Sequence, residues 1–205
     1  MRMQKRVFVI HGWESHPKDG WFPWLKKELV AAGFKVFVPQ LPKPDEPKIK
    51  NWVPKLNRVV GKPDAETYFV GHSLGCQTIV RYLEALPEGV MVGGAVFVGG
   101  FFKRLTGLEG DEEKNIAYEW LKTPIDLKKA KTHLKKSVAI FSDDDPFVPL
   151  DNEEDFKNIL GSKIVIEHGK KHFAGYTGTI ELPATLQALH SIAKYRPPAL
   201  RVQSN

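Results

Sequence analysis

The chain alternates short apolar runs with longer amphipathic segments. The first run, Arg6–Ile10, is a continuous β-prone stretch that ends at a His-Gly turn, and it predicts a buried strand. The next segment, Trp21–Ala32, places its apolar residues on one helical face and is followed by Gly33, a typical C-terminal stop. This succession of strand and helix recurs along the sequence.

Five further strands and four further helices follow the same two patterns. The strands are expected at Lys35–Val38, Thr67–Val70, Gly94–Val98, Ser137–Phe141 and Lys163–Glu167. The helices are expected at about Asn51–Val60, directly after Ser73, at Glu153–Leu160 and at Pro183–Lys194. Pro54 is compatible with the first of these helices only if it lies in the first turn.

The helix after Ser73 shows the clearest division into two faces. Cys76, Ile79, Val80 and Leu83 recur at helical spacing, and Cys76 is interpreted as a small buried hydrophobe. The polar residues Gln77, Arg81 and Glu84 are expected to face outward.

Alternation of this kind predicts an α/β fold. Each return to a parallel neighbour needs a crossover, and crossover helices cover both faces of the sheet. We therefore expect a three-layer α/β/α domain over residues 1–196, with a mainly parallel sheet of six strands. The polar and aromatic stretch at 101–136 interrupts the rhythm and is expected to be a helical insertion that could form a lid, and residues 197–205 are expected to be a loosely ordered tail.

Composition narrows the class of protein. Hydrophobic residues make up 42% and charged residues 26% of the 205 residues, which excludes a disordered chain. The single cysteine, Cys76, excludes an intramolecular disulfide and any site that needs several thiolates. With no apolar run long enough for a signal-peptide core or a membrane span, we expect a cytoplasmic protein without a membrane partner.

The net charge of +6 is spread along the chain rather than concentrated in a stripe. Its densest stretch, Lys128–Lys136, also carries apolar residues at helical spacing. A solvated helix face is the favoured interpretation of this stretch, and a phosphate-binding surface is the alternative. We expect no nucleic-acid partner.

The strongest chemical signal is Gly71-His72-Ser73-Leu74-Gly75, a G-x-S-x-G sequence between an apolar strand and an amphipathic helix. A nucleophilic serine needs a sharp turn to stand clear of the backbone, and the flanking glycines allow strand and helix to approach closely. Ser73 is therefore the candidate nucleophile. The alternative is that Ser73 is an ordinary helix cap.

A neutral serine needs a histidine base and an acid to orient that base. Asp145 follows an apolar strand and holds the first position of a D-x-x-V-P sequence, whereas Asp143 and Asp144 could cap the turn. His172 follows the last strand and precedes the last helix. The order Ser73, Asp145, His172 is that of the α/β-hydrolase triad. An acidic turn without a catalytic role is the alternative for the aspartates.

His168 and His172 lie four residues apart after three aspartates, which raises a metal site as a minor alternative. Gly169 argues against the helix that would align the two imidazoles, so His168 is interpreted as a loop-fixing residue. His16, His133 and His190 have no evident catalytic companion and are expected to be structural or exposed. We expect no metal and no organic cofactor.

The oxyanion of an acyl-transfer reaction needs two backbone donors. The expected donors are the N–H groups of Leu74, after the nucleophile, and Trp13, after the first strand. A simple strand-ending turn is the alternative for Trp13. The candidate substrate-binding residues are Gly12, His72 and Trp21.

Together these motifs resemble the α/β-hydrolase superfamily and, within it, the small serine hydrolases similar to retinoblastoma-binding protein nine. The resemblance covers nearly the whole chain and implies Ser73, Asp145 and His172 as the triad. The L-x-C-x-E segment of that family is missing, because the only cysteine lies in Leu74-Gly75-Cys76-Gln77-Thr78. A pocket-protein partner is therefore not expected.

The resulting hypothesis is a serine hydrolase that cleaves carboxylic esters, or thioesters or small amides, through an acyl-enzyme with a Ser-His-Asp triad. The alternative is a non-catalytic binding protein with the same fold, since one fold can host many functions. The motifs imply no particular oligomeric state.

Overall fold

The computed structural model describes residues 4–195, and its centre is a six-stranded parallel sheet. The strands are β1 (Arg6–Ile10), β2 (Lys35–Phe37), β3 (Thr67–His72), β4 (Gly94–Val98), β5 (Ser137–Ser142) and β6 (Lys163–Glu167). Their spatial order is β2-β1-β3-β4-β5-β6. Because Ile10 pairs with Gly71, and His72 with Val98, the carboxyl ends of these strands meet at one edge. The expected strand number and parallel arrangement are confirmed.

Seven α-helices accompany the sheet within the described residues. They are α1 (Phe22–Ala31), α2 (Ile49–Val60), α3 (Leu74–Glu84), α4 (Asp111–Lys122), α5 (Leu127–Thr132), α6 (Glu153–Asn158) and α7 (Pro183–Ile192). All the predicted helices are present, and their ends differ from the predicted ends by at most two residues.

Successive residues of the strands lie alternately in two apolar cores, one on each face of the sheet. Phe8, Phe69 and Phe97 pack with residues of α2 and α3, whereas their chain neighbours belong to the core that includes α1 and α7. Such strands are buried on both faces, as expected for a sheet between two helical layers. The three-layer α/β/α architecture is therefore confirmed.

Two polar residues of α3 lie inside the protein, contrary to the expected outward face. Gln77 is 1% exposed and Arg81 is 6% exposed. The Arg81 guanidinium donates to Gln77 Oε1 and to the carbonyl oxygens of Trp120, Thr123 and Pro124. The prediction was wrong because the segment after β4 folds over α3, and carbonyls in the last turn of α4 and just beyond its end supply the acceptors that a buried guanidinium requires.

The expectation for Pro54 was also wrong. Helix α2 begins at Ile49, two residues earlier than predicted, so Pro54 lies in its second turn. The proline ring removes the hydrogen bond that the Lys50 carbonyl would accept. Lys50 is exposed, so water can satisfy that carbonyl.

The expected insertion at 101–136 contains α4 and α5. The apolar residues of α5 are buried, and Leu134 just beyond the helix joins the same core. Lys128 and Lys129 of this helix are exposed, and Lys131 is half-buried. Helix α4 is held at its C-terminal half, where Trp120 packs edge-on against Trp52 and its indole N–H donates to the Pro47 carbonyl (3.1 Å). A lid role for this segment stays a prediction. The expected tail at 197–205 lies outside the described residues.

No α-helix in residues 4–195 combines the length and the apolar character needed to cross a bilayer.

The crossing of α3 over the end of β1 depends on Gly75. A Cβ atom at this position would lie 2.2 Å from the Ile10 carbonyl oxygen and 2.7 Å from that of His11. Both neighbours are backbone atoms, which cannot move aside as a side-chain end can. The predicted close approach of strand and helix at the G-x-S-x-G sequence is therefore present.

We expect Gly75→Ala to lower the free energy of unfolding by about 3 kcal/mol or more, because the added methyl group must push α3 away from β1. Chemical denaturation measures the effect. The matched control is Gly110→Ala, whose Cβ atom would meet only the Glu113 side chain at 3.8 Å, and which should cost no more than about 1 kcal/mol. Equal losses at the two sites would contradict the steric explanation.

Candidate active site

Ser73 lies between β3 and α3 in a strained backbone conformation. Its φ is 52° and its ψ is −121°, a combination that non-glycine residues rarely adopt. The turn is held by two backbone hydrogen bonds, from Ser73 N–H to the Val98 carbonyl and from Cys76 N–H to the Ser73 carbonyl, both 2.9 Å. The hydroxyl forms no capping bond to α3. The interpretation of Ser73 as an ordinary helix cap therefore loses its support.

The loop after β1 reaches Ser73 through Gly12. A Cβ atom on Gly12 would lie 2.9 Å from Ser73 Cβ, so glycine is the residue that fits this approach. Trp13 and Leu74 both line the cavity that contains Ser73. Leu74 is the first residue of α3, and its N–H has no acceptor within its own helix. Their role as oxyanion donors stays a prediction.

Asp145 and His172 form a direct pair on the same side of the sheet edge. His172 Nδ1 lies 2.8 Å from Asp145 Oδ2. The other carboxylate oxygen, Oδ1, accepts the N–H groups of Phe147 and Val148 at 2.9 and 3.0 Å. The Asp145 side chain is 1% exposed and that of His172 11% exposed, so the pair is shielded from water. The carboxylate is thereby fixed in place, with one oxygen committed to the imidazole.

The other two aspartates bind the same loop at different points. Asp143 accepts the Gly169 N–H and pairs with His168 Nδ1, and Asp144 accepts the Lys171 N–H and pairs with Lys171 Nζ. The Lys171 side chain and the Ser142 hydroxyl lower the pKa of Asp144 to about 2. His168 lowers the pKa of Asp143 in the same way, and its own pKa is raised in return.

Three successive carboxylates therefore hold the loop from His168 to His172. The interpretation of His168 as a loop-fixing residue agrees with these contacts. Within residues 4–195, no group of three or more histidine, cysteine or carboxylate side chains is arranged to hold a metal ion.

Two aromatic side chains hold the carbonyl groups of the His172 loop. His72 Nε2 donates to the His172 carbonyl (2.8 Å), and Trp21 Nε1 donates to the Phe173 carbonyl (3.0 Å). Lys171 and Phe173 have φ values of 51° and 54°, so His172 lies between two left-handed residues. His72 and Trp21 also line the cavity, but their N–H groups are bound to this loop. Their predicted contact with substrate stays a prediction.

Burial keeps the His72 imidazole neutral. Desolvation by burial, together with a smaller contribution from the nearby His172 ring, lowers the pKa of His72 to about 3. Because Nε2 donates to a carbonyl oxygen, the proton of the neutral ring is on Nε2, and Nδ1 has no hydrogen-bond partner in the described residues.

His11 is a structural residue that sequence reasoning treated only as part of a turn. Its Nε2 accepts the Leu41 N–H (2.9 Å), so Nδ1 carries the proton and lies 2.8 Å from the Gly12 carbonyl. Burial lowers the pKa of His11. The Leu41 contact comes from a residue 30 positions away and leaves no local sequence signal.

A cavity of about 610 Å³ brings the candidate residues together. Ser73, His172, Trp13 and Leu74 all line it. The hydrogen bonds within residues 4–195 include the Asp145–His172 pair but none between the Ser73 hydroxyl and the His172 imidazole. The structure thus places nucleophile and base at one cavity, with the acid already engaged.

Comparison with known proteins agrees with this arrangement. A family model described as serine hydrolase matches residues 7–191. YdeN of Bacillus subtilis, named as a candidate hydrolase, is 33% identical over 190 residues, which cover 92% of this chain and 96% of YdeN. The crystal structure of the ydeN gene product superposes with a TM-score of 0.85 at 30% identity, over 93% of this chain and 100% of that one. Serine hydrolase RBBP9 of Rattus norvegicus is 26% identical over 155 residues, 75% of this chain and 78% of the relative.

The lowered pKa of His72 predicts how the stability of the fold depends on pH in the acid range. An unfolded histidine has a pKa near 6.5 and the folded one about 3, so the contribution of His72 to stability is full above pH 6.5 and is lost as the pH falls toward 3. In NMR titrations we expect the His72 ring resonance, assigned with His72→Gln, to stay unchanged between about pH 8 and pH 5. His168, whose pKa is raised, is the titrating control in the same spectra. A His72 midpoint inside this interval would contradict the burial argument.

Proposed function

This chain belongs to the serine hydrolase family, a part of the α/β-hydrolase superfamily, and from that premise we propose that it cleaves small carboxylic esters through an acyl-enzyme on Ser73. The observation that carries the proposal is the shielded Asp145–His172 pair at the cavity of Ser73. A buried aspartate on Nδ1 leaves Nε2 of the same imidazole to act as a base.

The first half of the proposed reaction forms the acyl-enzyme. His172 Nε2 takes the Ser73 hydroxyl proton while Oγ attacks the ester carbonyl carbon, and the carbonyl oxygen becomes an anion. The N–H groups of Leu74 and Trp13 donate to that oxygen. The tetrahedral intermediate then breaks its bond to the alcohol oxygen, which leaves with the proton from His172.

Water completes the cycle. His172 takes a proton from a water molecule as it attacks the acyl carbon, and returns that proton to Ser73 Oγ as the acid departs. Asp145 keeps the imidazole in the Nδ1–H tautomer and stabilises its charged form in both halves. Ser73 and His172 line the same cavity, and hydrogen bonds between nucleophile and base often tighten when substrate binds.

The substrate of this proposal is a small molecule. Thioesters and small amides react through the same intermediates and are secondary candidates. None of the proposed steps uses a metal or an organic cofactor. We propose a cytoplasmic location, because a chain with a single cysteine has no intramolecular disulfide and suits a reducing compartment.

We also propose that the chain forms a single domain and that the segment at 101–136 is a lid over the cavity. Helix α4 lines the cavity through its buried face, and Arg81 fixes the carbonyls at its C-terminal end. An opening movement of this lid would therefore pivot about that end of the helix. Its N-terminal end follows Gly107, whose φ is 65°.

A fluorophosphonate probe tests the proposed nucleophile. The folded wild-type protein should be labelled on Ser73, and Ser73→Ala should lose both the label and ester turnover, because no other hydroxyl replaces Oγ. Active-site mass spectrometry and p-nitrophenyl acetate hydrolysis are the measurements. Failure to label the folded wild type would favour the non-catalytic binding protein, and labelling that persists in Ser73→Ala would overturn the assignment of Ser73 as the nucleophile.

Asp145→Asn tests the assignment of the acid. The amide cannot hold the Nδ1–H tautomer, so kcat should fall on the order of 10⁴-fold, as for the same change in a serine-protease triad. The matched control is Asp143→Asn, which changes the neighbouring carboxylate bound to His168 and should retain most of the activity. A larger loss for Asp143→Asn than for Asp145→Asn would overturn the assignment.

A further inference from the structure

The two walls of the cavity differ in the charges that they carry. One wall is built by the segment from β4 to α4 together with Phe147, and apart from Glu113 at the rim its side chains are apolar: Phe101, Leu105, Leu108, Ile116, Ala117 and Phe147. The other wall is built by the loops after β1 and β6, which touch each other at Gly20 and Gly175. This second wall is called the polar wall because it carries Glu14, Lys18 and Asp19, although it also contains aromatic side chains such as Trp21.

The apolar wall is suited to an acyl chain. Ile116 and Ala117 line the cavity and are only 4% and 3% exposed, so methylene groups placed against them would contact apolar atoms rather than water on that side. The volume of about 610 Å³ falls within the 300–1,000 Å³ typical of small-ligand sites, enough for an acyl chain of several carbons and a leaving group.

The polar wall and the rim carry an excess of negative charge. The cavity is lined by three carboxylates, those of Glu14, Asp19 and Glu113, and by one ammonium group, that of Lys18. All four side chains are exposed, so their effect on a ligand must weaken as salt is added. This balance disfavours an anionic leaving group.

We propose, on the basis of the proposed function, that the substrate is an uncharged ester of a linear, medium-length carboxylic acid. The acyl chain lies along the buried face of α4, and the alcohol part lies against the loops after β1 and β6. Ile116 and Ala117 set the length of chain that fits.

A p-nitrophenyl series from acetate to dodecanoate tests the chain length. We expect kcat/KM to rise from acetate to about octanoate by up to fourfold per added methylene, the factor that corresponds to about 0.8 kcal/mol, and then to fall. A profile that is flat or falls from acetate would overturn this inference while Ser73 labelling leaves the proposed function intact. Failure of all esters together with absence of Ser73 labelling would overturn both.

Two variants on α4 should move the optimum in opposite directions. Ala117→Leu fills the wall and should lower the ratio of kcat/KM for octanoate over acetate at least tenfold, whereas Ile116→Ala lengthens the pocket and should shift the optimum to longer chains. General damage to the fold cannot produce opposite shifts. The matched control is Tyr118→Ala on the same helix, because Tyr118 is 64% exposed and should leave the profile unchanged. A shift in the control as large as that of Ala117→Leu would overturn the assignment of the wall.

The selectivity for an uncharged leaving group can be measured with two octanoate esters. We compare p-nitrophenyl octanoate with 4-sulfophenyl octanoate, each relative to its rate with hydroxide, at low and high salt. The neutral ester should be favoured at low salt, and both added salt and Glu113→Gln, which keeps the capping contacts of Glu113, should reduce the preference. Equal or faster cleavage of the sulfonated ester at low salt would overturn the charge selectivity.

Discussion

The structure depends on the close approach of backbones where the parallel strands end. The Ile10 carbonyl lies so near α3 that residue 75 has no room for a Cβ atom, and Gly12 has the same relation to Ser73. These contacts bring the loop after β1 and the start of α3 to a common point, and the parallel order of the sheet adds the loops after β5 and β6. The candidate nucleophile, base and acid come from different parts of the chain but share one edge of one sheet.

The His172 loop shows how a short segment can be held without regular structure. Carboxylates from the turn after β5 bind its N–H groups and side chains, and ring nitrogens of His72 and Trp21 bind its carbonyls. Both left-handed residues beside His172 are thus tied into the surrounding structure, which offsets their backbone strain. The orientation of one imidazole is determined by contacts from three separate parts of the chain.

Much of this arrangement was predictable from local sequence. The apolar runs identified the six strands, and Ser73, Asp145 and His172 were identified by short motifs whose order along the chain is informative. The contacts that depend on distant residues were not predictable. Arg81 appeared to be a surface residue because its acceptors belong to the end of α4, and His72 gave no sign that it binds the carbonyl of a residue 100 positions away. Likewise, the periodicity of α2 could not show that the helix begins early enough to enclose Pro54.

The buried guanidinium of Arg81 has a mechanical consequence. Arg81 belongs to α3, which starts beside Ser73, and it donates hydrogen bonds to carbonyls at the C-terminal end of α4, which forms part of the apolar wall. The C-terminal end of α4 is therefore held by a side chain of the helix that begins beside Ser73, and this contact fixes only that end. On the other wall of the cavity, Tyr176 and Ile180 are exposed and have few packing constraints, so these two side chains can adapt to ligands of different shape.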